Sequence, residues 1–431
     1  MVKSPASSPV AGLKCIRCNA EYTDLTMVLG CPSCRAAGKP ANLSVQYDFD
    51  EIRHRYDRAA AQRGPRSMWR YADLLPVSAD KAVTLGEGLT PLIAVPRLGR
   101  QIGVPKLLVK DETRNPTWSF KDRLASSAVS WAVATGKQVV TGSSSGNAGS
   151  AIAAFAARAG IPCVLFTTQQ FPPAMKAQMA VYGSKLLAAP SIADRWSLVE
   201  AAVEEFGWFP ITVFTRPLIG SNCFGIEGYK TIAFEIADEL GRAPDHLVFP
   251  VGAGDAFFGT WKGFEEYASL GLVDSAPKMH AAEIFGPLQN ALERGLDYVE
   301  DTPSGPTIAI SVGLNMSTFQ ALHVLRASGG SARTAHDDSL LQMQSMLAAD
   351  EGIYVEASSA LSLAVVKSLA ETGTIGPDEV VVAFLTSSGL KDPDVTLNAL
   401  PPIPTCEANL DSAVEALRAA YSFSPTDTRS G

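Results

Sequence analysis

The chain has 431 residues, 46% of them hydrophobic and 19% charged, which is too long for one simple core and ordinary for a globular enzyme of two or three domains. Its formal charge is −8 with a pI near 5.3, so the basic footprint of a nucleic-acid binder is absent. No apolar run reaches the ~18 residues that a membrane span needs. Seven cysteines at this length do not make a disulfide scaffold, and the five scattered histidines have no metal-ligand spacing.

Residues 1–13 are rich in Pro, Ser and Ala and lack an apolar stretch of signal-peptide length, so a mobile tail on a cytosolic (cytoplasmic) protein is expected. Two cysteine pairs follow, Cys15-Ile-Arg-Cys18 and Cys31-Pro-Ser-Cys34, with twelve residues between them. Two thiolate pairs at that spacing can close a tetrahedron around zinc and leave no open position, so a metal there would be structural. Lys14 and Arg17 are expected to help keep the thiolates ionised. A redox-active pair and a metal-free remnant of a knuckle are the alternatives. A polar stretch runs to about Gln46, and a short helix is predicted over Asp48–Tyr56.

From about Gly103 short apolar segments alternate with longer amphipathic ones. Leu107-Leu-Val, Gln138-Val-Val, Cys163-Val-Leu-Phe, Lys185-Leu-Leu, His246-Leu-Val-Phe and Val380–Leu385 read as strands. Gly149–Ala159 and Gly228–Leu240 read as helices between them. This alternation predicts an α/β fold with largely parallel sheets. After Pro401 one helix is predicted, Asn409–Tyr421, followed by a polar Ser/Thr/Pro end.

Four segments carry candidate chemistry. In Asn115-Pro-Thr-Trp-Ser-Phe-Lys121-Asp-Arg a lysine stands at a helix entrance, where it is either solvated or held rigidly enough to form a Schiff base. Thr141-Gly-Ser-Ser-Ser-Gly-Asn147-Ala-Gly joins a strand to an Ala-rich helix. It is either a flexible connection or a place where free N–H groups and small hydroxyls receive a carboxylate or phosphate. Pro250-Val-Gly252-Ala-Gly254-Asp-Ala256-Phe-Phe-Gly259 lacks the glycine of a dinucleotide fingerprint at Phe257, and Thr260-Trp-Lys rules out a P-loop. What remains is a glycine turn suited to one phosphate. Leu385-Thr386-Ser-Ser-Gly389-Leu-Lys-Asp-Pro ends a strand with a hydroxyl able to hydrogen-bond a ring nitrogen.

In this order the segments resemble the fold type II family of pyridoxal-phosphate (PLP) enzymes, the tryptophan synthase β-like fold, and its threonine synthases in particular. The resemblance covers roughly residues 65 to 395. Leu85-Gly-Glu-Gly-Leu-Thr-Pro91, Lys110-Asp-Glu, Ile226-Glu-Gly-Tyr-Lys230-Thr and Gly389-Leu-Lys-Asp-Pro393 belong to it as well. It implies two α/β domains with the cofactor between them, residues 48–125 with 222–400 and residues 126–221. A small zinc-ribbon-like element over 14–37 and a tail over 401–431 complete the chain, and a homodimer is implied.

Residue by residue, the resemblance makes Lys121 the cofactor-binding lysine and the proton shuttle at the substrate's α-carbon. It places Asn147 on the cofactor's phenolic oxygen and Thr386 on its pyridine nitrogen. The cofactor phosphate falls to Gly252, Ala253, Gly254, Asp255 and Ala256, with the Asp255 side chain pointing away. Ser144, Ser145, Gly146 and Ala148 are implied for the carboxylate of an amino-acid substrate, and some relatives carry an N-terminal element like Cys15, Cys18, Cys31 and Cys34.

The chain departs from the family pattern at three places. Trp118 replaces a glycine, Ala148-Gly149 replaces Thr-Ser, and Gly225 stands where an arginine is common. Trp118 is expected to reshape the pocket beside Lys121, and Gly225 to remove a phosphate ligand, with Lys176, Lys185 or Arg195 as possible substitutes. The leading expectation is a lyase of threonine synthase type, converting O-phosphohomoserine and water to threonine and phosphate. The rival is a β-eliminating ammonia-lyase acting on serine, threonine or a related amino acid. A non-catalytic cofactor- or zinc-binding module is the remote third.

Overall fold

In a computed structural model of the chain, residues 9–424 are described. The first strands are β1 (Val10–Cys15), β2 (Glu21–Tyr22) and β3 (Leu43–Tyr47), which form an antiparallel sheet in the order β2-β1-β3. The expected mobile tail is corrected here for residues 10–13, while residues 1–8 lie outside the described residues. Val10 and Leu13, on either side of a register shift in β1, are both buried against a core that Leu43 and Val45 of β3 complete. The stretch to Gln46 is likewise less polar in effect than in composition. Downstream, the helix Phe49–Arg55 starts at Asp48, whose carboxylate accepts from the amides of Asp50 and Glu51.

Ten further strands build two sheets. They are β4 (Leu92–Ala94), β5 (Leu107–Asp111), β6 (Val140–Ser143), β7 (Cys163–Thr167), β8 (Lys185–Ala188), β9 (Phe209–Pro210), β10 (His246–Pro250), β11 (Lys278–Glu283), β12 (Ala332–Thr334) and β13 (Val381–Leu385). One sheet has the order β12-β11-β10-β13-β5-β4 and the other β8-β7-β6-β9. Every pairing in them is parallel except β4 with β5. All five residues of β7, β10 and β13 are buried, as strands covered on both faces require. The alternation in the sequence located six of these ten strands; β4, β9, β11 and β12 were missed.

The helix Lys121–Ala134, called the lysine helix below, is buried over eleven of its residues. It packs on the helix Asn147–Ala159 and on the short helix Cys223–Ile226, where Trp131 stacks on Phe224 with ring centroids 3.8 Å apart. Asp394–Gly431 separates as a compact unit of its own, and its described part contains the helix Leu410–Tyr421 with Asn409 as N-cap. The polar end from 425 onward lies outside the described residues. Among the described residues no helix is long and apolar enough to cross a membrane.

One buried ionic cluster fixes the start of the lysine helix. Arg123 is fully buried; its Nε and Nη2 donate to Glu112 at 2.8 Å each, and its Nη1 and Nη2 donate to Glu235 at 2.6 and 2.8 Å. Lys110 Nζ stands 2.8 Å from Glu235. Burial alone would raise the Glu235 carboxyl, but Arg123 and Lys110 reverse this and hold it at about 2. Removing the guanidinium would leave two carboxylates buried without compensation. Arg123→Met is therefore expected to lose about 3–5 kcal/mol in chemical denaturation. Because the Glu235 carboxyl is lowered in the folded state, its stabilisation is full above its unfolded value of about 4.3 and is lost as pH falls toward 2. The variant should lose that part of the acid sensitivity, and a loss below about 1 kcal/mol would contradict this account.

Candidate active site

The loops leaving the C-terminal ends of three parallel strands meet in a cavity of about 430 Å³. β6 supplies Ser143–Ala148, β10 supplies Gly252–Ala256, and β13 supplies Thr386; Lys121 also lines the cavity. Carboxyl ends of parallel strands are where open α/β sheets hold ligands. All the cavity residues expected from sequence, from Lys121 to Thr386, are brought together here.

Lys121 is the first residue of the lysine helix. Its position is fixed from behind, because the amide of Phe120 donates to the Thr386 carbonyl at 3.0 Å and Ser119 bridges to Ser387. Burial pushes its amine below the usual lysine value, and Asp255 and Glu356 only partly offset this. A lysine so placed is easier to deprotonate and a better nucleophile. Next to it, burial raises the Asp122 carboxyl to about 7 against the amide and hydroxyl of Thr117.

The loop after β6 leads into the N-terminus of the helix Asn147–Ala159. Ser144 Oγ accepts from the amides of Gly146 and Gly149 at 3.2 and 2.9 Å, which closes the loop on itself. Ser145 Oγ lies 3.1 Å from Thr168 Oγ1 and accepts from Arg195 Nη1 at 2.7 Å. Arg195 lines the same cavity, is only 8% exposed, and has no partner for its Nε. Asn147 is 4% exposed; its Nδ2 is 3.2–3.3 Å from Ser311, Glu356 and Ser387, while its buried Oδ1 has no partner.

The turn after β10 is shaped as a cradle. Gly254 has φ +80°, and a Cβ there would lie 2.5 Å from that of Ala321, so glycine is required. Ser317 Oγ and Thr318 Oγ1 tie back the carbonyls of Gly252 and Ala253. The 15-residue helix Asp255–Ser269 then begins, and its first-turn amides have no intrahelical acceptor. The Asp255 carboxylate is turned aside, accepting from Ser221 N and Oγ and from Gln320 Nε2 at 2.6–2.9 Å. At the far end Thr386 Oγ1 is 2.6 Å from Ser359 Oγ and 3.1 Å from Glu356. A lysine amine, an amide with an unpartnered end, a phosphate-sized cradle and a hydroxyl in one cavity fit the aldehyde, phenol, phosphate and pyridine of PLP.

Two expectations about this pocket are corrected. Trp118 does not line the cavity; the residue is 48% exposed, and its backbone holds φ +65°. Its difference from glycine is thus conformational, since the left-handed region costs an L side chain roughly 1–2 kcal/mol. Gly225 does not line it either. A Cβ there would lie 2.7 Å from Leu124 Cδ1 and 3.1 Å from Ala128 Cβ, so the position presses on the lysine helix and has no room for an arginine. Lys176 and Lys185 are also outside the lining, which leaves Arg195. Glu356 and Ser311 were missed, because no local pattern marks them, and Ser387 stood in the segment of Thr386 without a role.

The four cysteines come together as well. Cys15 Sγ is 3.6 Å from Cys34 Sγ and Cys18 Sγ is 3.7 Å from Cys31 Sγ, with all four within 4.8 Å of one another. A tetrahedral zinc–thiolate site has sulfur–sulfur edges of about 3.8 Å, so the set fits. The amides of Arg17 and Cys18 point at Cys15 Sγ, both at 3.4 Å. The expected help from cationic side chains is corrected: Lys14 pairs with Glu21, and Arg17 pairs with Asp297 and lies over the Phe319 ring.

If Trp118 acts only through its backbone, Trp118→Gly should change the preference among amino-acid substrates by less than about threefold. Its stability should stay within about 1 kcal/mol, strain relief being offset by the entropy of glycine. A tenfold change in preference, read from kcat/KM, would return the indole to the pocket.

Comparison with known proteins points to the same class of enzyme. The family profile described as "Pyridoxal-phosphate dependent enzyme" matches residues 83–387. The threonine synthase of Methanosarcina acetivorans is 36% identical over 412 residues, 94% of this chain and 98% of that protein. That of Methanocaldococcus jannaschii is 34% identical over 394 residues, 90% and 94%, and that of Mycobacterium tuberculosis 36% over 362 residues, 83% and 98%. Among solved structures, a threonine deaminase from Solanum lycopersicum superposes with TM-score 0.62 at 18% identity, covering 82% of this chain and 89% of its own; at that identity the likeness concerns the fold. A lysine at a helix entrance, a glycine cradle and relatives over nearly the whole length lead to one conclusion: the chain belongs to the fold type II family of pyridoxal-phosphate-dependent enzymes, is a lyase of that family, and is similar to its threonine synthases.

Proposed function

We propose that this lyase is a threonine synthase, which replaces the phosphate of O-phosphohomoserine with water to give threonine and phosphate. The observation that favours it over an ammonia-lyase acting on serine or threonine is Arg195. Its guanidinium is buried at the cavity wall, forms no ion pair with a carboxylate among the described residues, and keeps Nε unpartnered. Burying a cation without a counter-charge is unfavourable, and an anionic group on the substrate side chain relieves it. A neutral serine or threonine side chain offers no such relief. The reading also rests on the threonine synthase relatives.

PLP, when bound, supplies an electron sink for the negative charge that develops beside the substrate's amino group. Lys121 anchors it through Nζ and, once released, carries protons to and from the substrate's α-carbon. Asn147 orients the phenolic oxygen, and Thr386 meets the pyridine nitrogen with a hydroxyl. The amides of Gly252, Ala253, Gly254, Asp255 and Ala256 hold the cofactor phosphate. Ser144, Ser145, Gly146 and Ala148 receive the substrate carboxylate, while Arg195, braced by Ser145, takes the substrate phosphate. Residues 126–221 then form the smaller lobe over the site, and 48–125 with 222–400 the larger. A cytoplasmic homodimer completes the reading, the homodimer on the family resemblance alone.

The experiment is a panel of O-phosphohomoserine, serine and threonine on purified enzyme, following phosphate, ammonia and 2-oxo-acid release together. O-phosphohomoserine should be the substrate turned over, and Lys121→Ala should lose both turnover and the visible absorbance of the bound cofactor. Arg195→Met should lower kcat/KM for the phosphorylated substrate by about 30- to 1000-fold, as expected for truncating a buried charged pair. Wild type that ignores O-phosphohomoserine would replace this reading with the ammonia-lyase, and an Arg195 variant that leaves its turnover intact would remove the role given to that residue.

Zinc bound by Cys15, Cys18, Cys31 and Cys34 belongs to the same proposal, with a structural role because four thiolates leave no open position. Protein purified without chelator should contain one zinc per chain. Cys18→Ser with Cys31→Ser should lose the metal and lower the melting temperature while leaving the cofactor's absorbance in the folded fraction. Absence of zinc from the wild type would remove this part.

A further inference from the structure

Just behind the lining of the cavity, in the floor that supports it, stands a carboxyl that the functional reading above does not use. Glu356 stands at the N-cap of the helix Ala357–Glu371 and is 3% exposed. Its Oε1 is 3.1 Å from Thr386 Oγ1 and its Oε2 is 3.2 Å from Ser311 Oγ. Both oxygens are 3.2–3.3 Å from Asn147 Nδ2. It therefore touches both residues assigned to the cofactor's phenol and pyridine, and this argument rests on that assignment.

Hydrogen counting shows why its protonation state matters. Asn147 Nδ2 has two hydrogens and faces four oxygens, from Ser311, Ser387 and both arms of Glu356, while Oδ1 is buried without a partner. With Nδ2 turned to the floor, the end of the amide left for a phenolic oxygen of the cofactor is Oδ1, lone pair against lone pair. The two ends of an amide have nearly the same shape, so the side chain can turn over in place. Its N–H groups then face the cavity and its oxygen faces the floor, which must supply donors. Ser311 and Ser387 have one hydrogen each and give them to Glu356 while it is ionised, whereas a neutral Glu356 donates one itself.

Thr386 presents the same problem. Its one hydroxyl hydrogen cannot serve both a ring nitrogen and a carboxylate. We propose that Glu356 is a positioning residue that acts as a neutral carboxylic acid, its O–H holding the Asn147 amide with N–H toward the cofactor's phenolic oxygen and leaving the Thr386 hydroxyl free for the ring nitrogen.

The surroundings are consistent with a neutral carboxyl. Burial raises Glu356, with hydrogen bonds from Ser387, Asn147 and Thr386 and the charge of Lys391 opposing it. Lys391, on the turn Gly389–Lys391, gives its ammonium to the Thr117 carbonyl at 3.0 Å and to Gln178 and faces Asp122. Lys121, at the start of the lysine helix, is lowered by its own burial and shares its field with Asp255. Among the described residues neither lysine forms an ion pair with Glu356.

The test uses holoenzyme and follows the visible band of the bound cofactor as a function of pH, together with cofactor affinity on reconstitution. Glu356→Gln keeps a donor in place of the O–H and removes no charge if the acid is neutral. The midpoint should therefore stay within about 0.3 pH unit of wild type and affinity within about threefold. Glu356→Leu removes the donor, and cofactor affinity should fall about tenfold or more, with no further loss when Asn147→Ala is added. If Glu356→Leu does not fold, infrared difference spectra of wild type against Glu356→Gln decide alone: the wild type should show a protonated-carboxyl band that the variant lacks. A midpoint shifted by a full unit in Glu356→Gln, an unchanged Glu356→Leu, or no such band would overturn the proposal. Failure of the cofactor assignment itself would be seen separately, as wild type without a visible band or Lys121→Ala that keeps it.

Discussion

Arg123 holds the protein together at the point where its chemistry is placed. The residue lies two positions after Lys121, and its planar fork grips Glu112 at the end of β5 and Glu235 on the helix Lys230–Leu240. A fork that meets two carboxylates has one geometry, unlike a single ammonium on a flexible stem. The first turn of the lysine helix is thereby fixed against the six-stranded sheet. Lys110 and Thr231 close the remaining valences, so the cluster is buried without an unmatched charge.

Everything in the cavity is measured from that fixed turn. The Phe120 amide reaches the Thr386 carbonyl, which brings the end of β13 to the lysine. Ser359 accepts from the amides of Thr386 and Ser387, and Glu356 leads the same helix. The floor is thus a set of short hydrogen bonds among small hydroxyls and one carboxyl, placed by strand ends and helix starts and not by long flexible side chains. Such a floor holds a flat aromatic ligand in one orientation, because none of its members can move far alone.

Much of this was legible in the sequence because the signals are local. A strand of uninterrupted apolar residues such as Val381–Leu385 reads as buried on both faces, and a Gly/Ser turn before an Ala-rich run reads as a helix N-terminus. What failed depends on distant partners. β11 (Lys-Met-His-Ala-Ala-Glu) has little β-branched content and is a strand because it lies between β10 and β12. Residues 10–13 looked like a tail until β3 supplied the face they pack on. The sign of φ at Trp118 and the pressure of Leu124 on Gly225 leave no trace in composition, so both residues were expected in a pocket they do not line. Glu356 sits among alanines and serines, and only the fold makes it the neighbour of Asn147, 209 positions away.

The strand orders also determine where another extended chain could add. Open sheet edges present unpaired amides and carbonyls and invite edge-to-edge growth. In the six-stranded sheet the edge strand β4 has the Leu92 amide covered by Glu239, and the other edge, β12, has the Thr334 amide covered by Gln289. In the four-stranded sheet β9 ends in Pro210, which has no amide hydrogen to offer. The fourth edge of these two sheets is β8, four residues long and opened by Lys185. A short strand with a charged residue is a poor template, so the arrangement that gathers the strand ends around one cavity also keeps the sheets from growing into a neighbouring molecule.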